Sequence, residues 1–443
     1  MAGVTDAAAA EGNAVNAHLP RGTGLSLVAL TAASALALAA CAPSQSSSSG
    51  SGGDSSGKVP DTIVIGSTLP LTGTESKTGG RYKQGYELAV EEANAAGGVD
   101  IGGKKVKVEL KLLDDTSDQA KAVNLAQRLI TSDKVNAFLG TYSTSLVEAQ
   151  STVAEQNKIP YVNGGGAATS IYAKGYKYVF GTLAPVENLA TTEMGWLDEQ
   201  QKAGKLPKPA KIAVVWENTS HGKDFRKGVA DHAKSTGNYQ VAVDESFALD
   251  GKDFSAVLNK VKAANVDLFM VDAHLPDFIT MQRQYLSSGM CNKIVTYGAR
   301  GTEKDASAAL GQDGVNYILS AVWWNKQLGN GGLNKAFVDS YTKKYGAAPE
   351  WYQALGYEAA RSLFTAMTNA KSVDKDKVRD ALSSLQMDSI LPGGKLSYPA
   401  ETGGQATYPF VVQQNLPDGT APIIFPADVK TGEGVAPNPG CKG

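Results

Sequence analysis

Apolar and polar positions along this chain change period repeatedly, and each change marks an element. Thr62-Ile63-Val64-Ile65-Gly66 is a short β-branched run ending in glycine, the pattern of a buried parallel strand. Tyr82, Tyr86, Ala89, Val90 and Ala93 then recur at helical spacing, and Gly97-Gly98 stops that helix. Val106, Val108, Leu110 and Leu112 alternate with Lys105, Lys107, Glu109 and Lys111, the two-residue period of a half-exposed strand. Asp115 to Asp118 offers N-caps for a helix through Val123, Ala126 and Ile130. Strands are expected at Val135–Leu139 and Ile159–Val162.

The same grammar restarts at Lys211. Ile212–Trp216 reads as a strand, Phe225, Val229 and His232 as a helix, and Val241 with Val243 as a strand. Phe254, Val257, Leu258 and Val261 mark a helix before the strand Asp267–Val271; Met281 and Leu286 mark another before Ile294–Tyr297. Lys202 to Pro209 between the halves is a surface loop by composition. Alternating strands and helices require right-handed crossovers and mostly parallel sheets. The expected fold class is α/β, with two Rossmann-like lobes.

Charge changes the picture little. Lys and Arg number 42 against 44 Asp and Glu, so no nucleic-acid-binding surface is indicated. The amino-terminal end says more. Arg21 precedes an apolar run from Leu25 to Ala40 that is short and alanine-rich for a membrane span. It closes on Leu38-Ala39-Ala40-Cys41, which resembles the lipobox of bacterial lipoproteins, in which the cysteine is acylated and becomes the first residue. Residues 1–40 are therefore expected to be a signal peptide, and 41–58, rich in serine and glycine from Ser44 to Gly57, a flexible tether to the outer face of the membrane. Beyond Cys41 only Cys291 and Cys441 remain. In an exported chain they either form one disulfide or stand as a partly buried thiol and a loose carboxy-terminal one.

Ligands of such sheets bind outside the carboxyl ends of the strands. Two loops there are rich in glycine and hydroxyls: Gly140-Thr141-Tyr142-Ser143-Thr144-Ser145 and Asn163-Gly164-Gly165-Gly166-Ala167-Ala168-Thr169-Ser170. Backbone N–H groups at glycines and helix N-termini favour an anion, and two converging loops would orient one carboxylate. Ordinary N-caps and a tight turn would use the same residues.

At this point the chain resembles the type I periplasmic solute-binding proteins of ABC importers, in the leucine/isoleucine/valine-binding branch, over nearly all of residues 62–415. The carriers include Leu69-Pro70-Leu71-Thr72-Gly73, Glu91-Glu92-Ala93-Asn94-Ala95-Ala96-Gly97-Gly98-Val99, Asp114-Asp115, Gly175-Tyr176-Lys177-Tyr178-Val179-Phe180, Asp253-Phe254-Ser255 and Tyr345-Gly346 with Pro349. The resemblance implies two lobes joined by three crossovers: lobe one 59–184 plus 324–393, lobe two 185–323 plus 394–443. It implies a carboxylate held by Thr144, with Ser145 beside it, and by the backbone around Gly165 and Gly166. The family's second threonine falls on Ala167, leaving Thr169 or Ser170 to reach in. Family tyrosines become His221 and His274, the pocket-closing aromatic is Tyr352, and the ammonium-binding glutamate position is Gly298, with Asp272 as a substitute acceptor. Arg300 and Asp272 read equally well as surface residues.

No enzyme motif appears: no phosphate-loop lysine, no dinucleotide fingerprint, no nucleophile elbow. No cofactor is expected. His221 and His274 lack a cysteine pair or a carboxylate at ligand spacing in this reading, so no metal is expected either. Trp216, Trp323, Trp324 and Trp351 are assigned to cores. The implied function is a monomeric importer component that closes on a small carboxylate-bearing solute and delivers it to a permease. The resemblance favours a branched-chain amino acid; a small aromatic or other carboxylic acid, or a ligand-sensing module, is the alternative.

Overall fold

The computed structural model describes residues 59–441. Leu38–Cys41 and the Ser/Gly tract lie outside them. Among the described residues no helix is long and apolar enough to cross a membrane.

The first lobe opens with β1 (Thr62–Leu69), α1 (Ser76–Ala95), β2 (Val99–Ile101), β3 (Lys104–Asp114), α2 (Gln119–Thr131), β4 (Ala137–Leu139) and α3 (Thr144–Gln156). It continues through β5 (Tyr161–Asn163), α4 (Thr169–Tyr172) and β6 (Val179–Gly181). The second comprises α5 (Val186–Lys202), β7 (Ala210–Glu217), α6 (Ser220–Thr236), β8 (Tyr239–Phe247), α7 (Ser255–Ala264), β9 (Leu268–Asp272) and α8 (Leu275–Ser287). It goes on through β10 (Ile294–Tyr297), α9 (Lys304–Leu310), α10 (Gln312–Val315) and β11 (Leu319–Val322). The chain then returns to lobe one with α11 (Leu333–Tyr345), α12 (Trp351–Ala370), α13 (Lys375–Ser383) and the hairpin β12 (Gln386–Asp388) and β13 (Lys395–Ser397). It ends in lobe two with β14 (Val411–Gln414) and β15 (Ile423–Phe425).

The sheets run β2-β3-β1-β4-β5-β6 and β15-β14-β11-β10-β9-β7-β8. Within them β3-β1-β4-β5-β6 and β8-β7-β9-β10-β11 are parallel and share one topology. Each has its switch point beside its first strand, between β1 and β4 and between β7 and β9, where binding crevices form. Ile63, Ile65 and Leu69 of β1 and Ile212 and Val214 of β7 are completely buried, each side chain contributing about 1.5–3 kcal/mol by leaving water.

Two strands begin later than periodicity predicts. Pro160 has no N–H to donate, so β5 starts at Tyr161. Asn136 donates its N–H to the Val64 carbonyl at 2.7 Å, but its side-chain Oδ1 rather than a backbone carbonyl accepts from the Val64 N–H at 2.8 Å, and β4 starts at Ala137. Leu286, read as an apolar-face residue, is exposed. The third crossing also comes later than 393/394. Tyr398 shares a hydrogen bond with Ser362 at 2.7 Å and Gln405 bridges to Gly181, so residues 394–405 pack on the first lobe and the chain crosses before Val411. Cys291 and Cys441 form a disulfide with Cα atoms 5.3 Å apart, fastening the carboxy-terminal segment to lobe two.

Candidate functional site

The lobe-one wall is built by the loops after β4 and β5. Buried Asp115, just past β3, accepts from Thr68 Oγ1 at 2.9 Å and Thr141 Oγ1 at 2.6 Å, tying the ends of three neighbouring strands together. This fixes Tyr142, Ser143 and Thr144 at the entry to α3. Gly165 lies against that loop so closely that a Cβ would stand 2.2 Å from the Thr141 carbonyl oxygen. Glycine is therefore required there by backbone contact. Thr144 Oγ1 accepts from the Ala167 N–H at 3.4 Å, and the Ser143 and Ser145 hydroxyls stand 3.2 Å apart.

The lobe-two wall comes from the ends of β7, β9 and β10. Thr219 caps α6 by accepting from the Gly222 N–H at 3.2 Å, which sets His221 in the first turn, one turn after Glu217. His274 stands at the N-cap position of α8, two residues past the end of β9, with its ring turned to Glu75 and Glu217 rather than to the helix N–H groups. Gly298, at φ +44°, lets the chain turn out of β10 and deliver Arg300. Both walls meet at a tight cavity of about 10 Å³. Tyr142, Ser143, Thr144, Gly165, Ala167 and Trp351 line it from one side; His221, His274 and Arg300 from the other; Leu183 and Trp323 lie where the chain crosses.

Arg300 dominates the chemistry. It is 2% exposed, its Nη2 donates to the Tyr142 hydroxyl at 3.0 Å, and its guanidinium carbon sits 5.6 Å from the Trp351 ring centre. Its Nε and Nη1 find no hydrogen-bond partner among the described residues. A buried cation with unused N–H groups is costly unless an anion meets it. His274 stands beside it, Nδ1 2.9 Å from Glu75 Oε1 and Nε2 3.5 Å from Glu217 Oε1. Burial pulls His274 down, but the charges of Glu217 and Glu75 outweigh it and hold its pKa at about 9. Burial likewise pushes Asp272 up, and His221, 2.7 Å away through Nδ1, together with Arg300 brings it below the ordinary carboxylate range.

Polar contacts also join the lobes around the cavity. Arg81 of α1 reaches Glu303 at 2.8 Å and Asp305 at 3.1 Å, and Tyr352 donates to Glu303 at 2.5 Å. Thr169 donates through its N–H and hydroxyl to Asp224 at 2.8 and 2.9 Å.

Of the sequence-predicted residues, Thr144, Gly165, Ala167, His221 and His274 share the cavity wall. Ser145, Gly166, Thr169, Asp272, Gly298 and Tyr352 do not line it. A Cβ on Gly166 would meet Val147 and Ile171, away from the cleft. Thr169 is held by Asp224, and Ser170 by Glu148 at 2.6 Å, so neither replaces the hydroxyl missing at Ala167. Asp272 is completely buried with one oxygen committed to His221, and Gly298 packs against the other, 3.0 Å from a Cβ built there. Tyr352 backs the wall, its ring 3.6 Å from that of Trp351.

Sequence reasoning missed Arg300, Tyr142, Trp323 and Trp351, because a lone arginine in a Gly-Ala-Arg-Gly loop has no periodicity to place it. It also missed Glu217 and Glu75 behind the histidines, although Glu217-x-x-x-His221 is a visible spacing, and it expected Asp272 as an ammonium acceptor where Asp272 instead pairs with His221. A larger open groove of about 330 Å³ shares Trp351 as a wall. None of the side chains lining it is among those with a buried, unpartnered polar atom, so the chemistry concentrates between the lobes.

Comparison with known proteins agrees with this architecture. A family model described as periplasmic binding protein matches residues 62–420. Leu/Ile/Val-binding protein homolog 8 of Brucella abortus is 29% identical over 332 residues, covering 73% of this chain and 81% of the relative. Homolog 7 of Brucella suis is 26% identical over 371 residues, covering 82% and 91%. A leucine-binding protein from Thermotoga maritima has a similar structure, with TM-score 0.72 at 23% identity, covering 82% of this chain and 97% of that one. So has a solute-binding protein of an ABC transporter from Rhodopseudomonas palustris in complex with 3,4-dihydroxybenzoic acid, with TM-score 0.68 at 22% identity, covering 80% and 93%. Two like-wound lobes, a cleft at both switch points and a match over most of the chain lead to one conclusion: this protein belongs to the periplasmic binding protein family.

Proposed function

We propose that this chain is the solute-binding component of an ABC importer, anchored outside the membrane through Cys41, and that it closes as a monomer on a small carboxylic acid for delivery to a permease. The observation that carries the carboxylate is Arg300: a buried guanidinium in the cleft with Nε and Nη1 unpaired. Two charge-assisted hydrogen bonds to a carboxylate would contribute about 1.5–3 kcal/mol each. The lobe-one loops seat the same ligand, and its added contacts with lobe two shift the equilibrium toward closure.

Two solute classes fit. Branched-chain amino acids are supported by the names of the Brucella relatives. Small aromatic acids are supported by the lining, where Trp351, Trp323 and Tyr142 offer flat faces and no carboxylate stands to receive an ammonium. An ammonium beside Arg300 and His274 would need Glu217 or Asp272, behind the wall, as its anionic partner, so the lining supports the aromatic class while the relatives support the amino-acid reading. Calorimetry of leucine against 4-hydroxybenzoate on the purified protein decides: tight leucine binding refutes the aromatic assignment, and binding of neither, with none among other small carboxylates, refutes the carboxylate reading.

A further inference from the structure

We propose that Glu217, His221 and Asp272, joined by His274, form a binding site for a divalent transition-metal ion behind the lobe-two wall of the cleft. Glu217 and Asp272 end the paired parallel strands β7 and β9, where Trp216 stands opposite Asp272. Each strand end thus carries a carboxylate, and the helix that follows it carries a histidine in its first turn or at its cap. One ligand atom from each of Glu217, His221 and Asp272 lies within 4.8 Å of the others.

The spacings suit coordination. His221 Nδ1 is 3.9 Å from Glu217 Oε1 and 2.7 Å from Asp272 Oδ2, and His274 Nε2 is 3.5 Å from Glu217 Oε1. Donors bound at about 2.0–2.2 Å around one four-coordinate ion stand roughly 3.3–3.6 Å apart, so each of these three spacings needs to change by under about 1 Å. Two protons leave to solvent as the ion enters, the one between His221 Nδ1 and Asp272 and the one on His274 Nε2. His274 already has the outer support of a metal-bound imidazole, since its Nδ1 faces Glu75 at 2.9 Å.

A second observation points the same way. Glu217 Oε2, Asp272 Oδ1 and His221 Nε2 are buried without a hydrogen-bond partner. Glu217 Oε2 and Asp272 Oδ1 are the second oxygens of the two proposed carboxylate ligands. Lone pairs removed from water and left unused are unfavourable, and a carboxylate that turns to the ion or binds it through both oxygens uses them, whereas His221 Nε2 is not engaged by an ion on Nδ1. Two imidazoles with two carboxylates select a borderline ion such as zinc or cobalt over calcium or magnesium, which take all-oxygen sets.

The test titrates chelator-stripped full-length protein with Zn²⁺ alone, no carboxylate present, by calorimetry, and with Co²⁺ by visible absorption. One equivalent of zinc should bind, and cobalt should give the intense visible bands of a four-coordinate site. Glu217→Gln and Asp272→Asn should each weaken zinc at least tenfold. His232→Ala, removing the histidine paired with Asp198 outside the cleft, should change nothing. The absence of saturable zinc binding, a six-coordinate aqueous cobalt spectrum, or unchanged affinity in both carboxylate variants would overturn the proposal. Because Arg300 is outside the ligand set, zinc binding and carboxylate binding fail separately.

Discussion

On the lobe-one wall the side-chain hydroxyls facing the cavity are already engaged with their neighbours; on the lobe-two wall Arg300 and His221 still hold unused nitrogens. One wall is a finished shape made of loops, hydroxyls and rings. The other is an electrically loaded surface of buried cations backed by carboxylates. The difference assigns separate tasks: lobe one seats the solute with contacts that are weak individually, and lobe two supplies the strong directional bonds that make the closed form worth adopting.

The sharpest way to break this comparison is to strip each wall in turn. Arg300→Leu should weaken carboxylate binding by roughly 100-fold or more in calorimetry, while Thr144→Val costs about tenfold or less. The reverse order would move the energetic centre to lobe one. Gly165→Val is a poor probe of binding, since its side chain would strike the Thr141 backbone and disturb the fold.

A smaller effect separates the lobes by stability. Cys291→Ser should lower the unfolding free energy by about 2–4 kcal/mol in denaturant titration, with carboxylate affinity unchanged. A loss of affinity would mean that the tail fastened to lobe two also shapes its wall.

Buried charge in lobe two should also show in pH dependence. Burial pushes Glu193 from its ordinary 4.5 up to about 8, although it accepts from the Ala321 N–H at 3.0 Å and from Thr296 at 2.9 Å. The folded state therefore holds a proton that the unfolded state has lost, so stability is greatest below pH 4.5 and falls as pH rises through about 8. Glu193→Gln should flatten that fall and gain about 1–2 kcal/mol at pH 8 relative to pH 5. Parallel stability curves for variant and parent would show that Glu193 ionises without cost.

The smallest expected effect concerns the contacts between lobes. Asp224→Ala removes the acceptor for Thr169 and should favour the open form by about 1 kcal/mol, seen as a larger radius of gyration in X-ray scattering without ligand. An unchanged radius would leave closure to Arg81, Glu303 and the Arg300–Tyr142 contact.

The alternation of strands and helices was legible in sequence because it rests on local period. The eight strands expected, β1, β3, β4, β5 and β7–β10, begin within two residues of expectation, whereas β2, β6 and the elements after β10 were not read. Glycine and hydroxyl loops could be placed at strand ends for the same reason. The lobe-two wall could not be read so directly. Arg300 owes its importance to being buried by residues as distant as Tyr142 and Trp351, and burial at such range leaves no trace in local spacing. Pro160 and Asn136 show the converse, where one side chain locally overrides a hydrophobic period.

The paired indoles at the cavity have an optical consequence. Trp323 and Trp351 lie 4.9 Å apart, each with its N–H fixed, to Ala184 at 2.8 Å and to Ala299 at 3.3 Å. Trp196 and Trp324 are buried away from the cavity lining, and Trp216 holds Asp244 on the outer edge of lobe two. Opening the cleft would wet the cavity pair most directly, shifting their emission to the red. The protein thus carries its own fluorescent gauge of closure, readable without a label and silenced in part by Trp351→Phe.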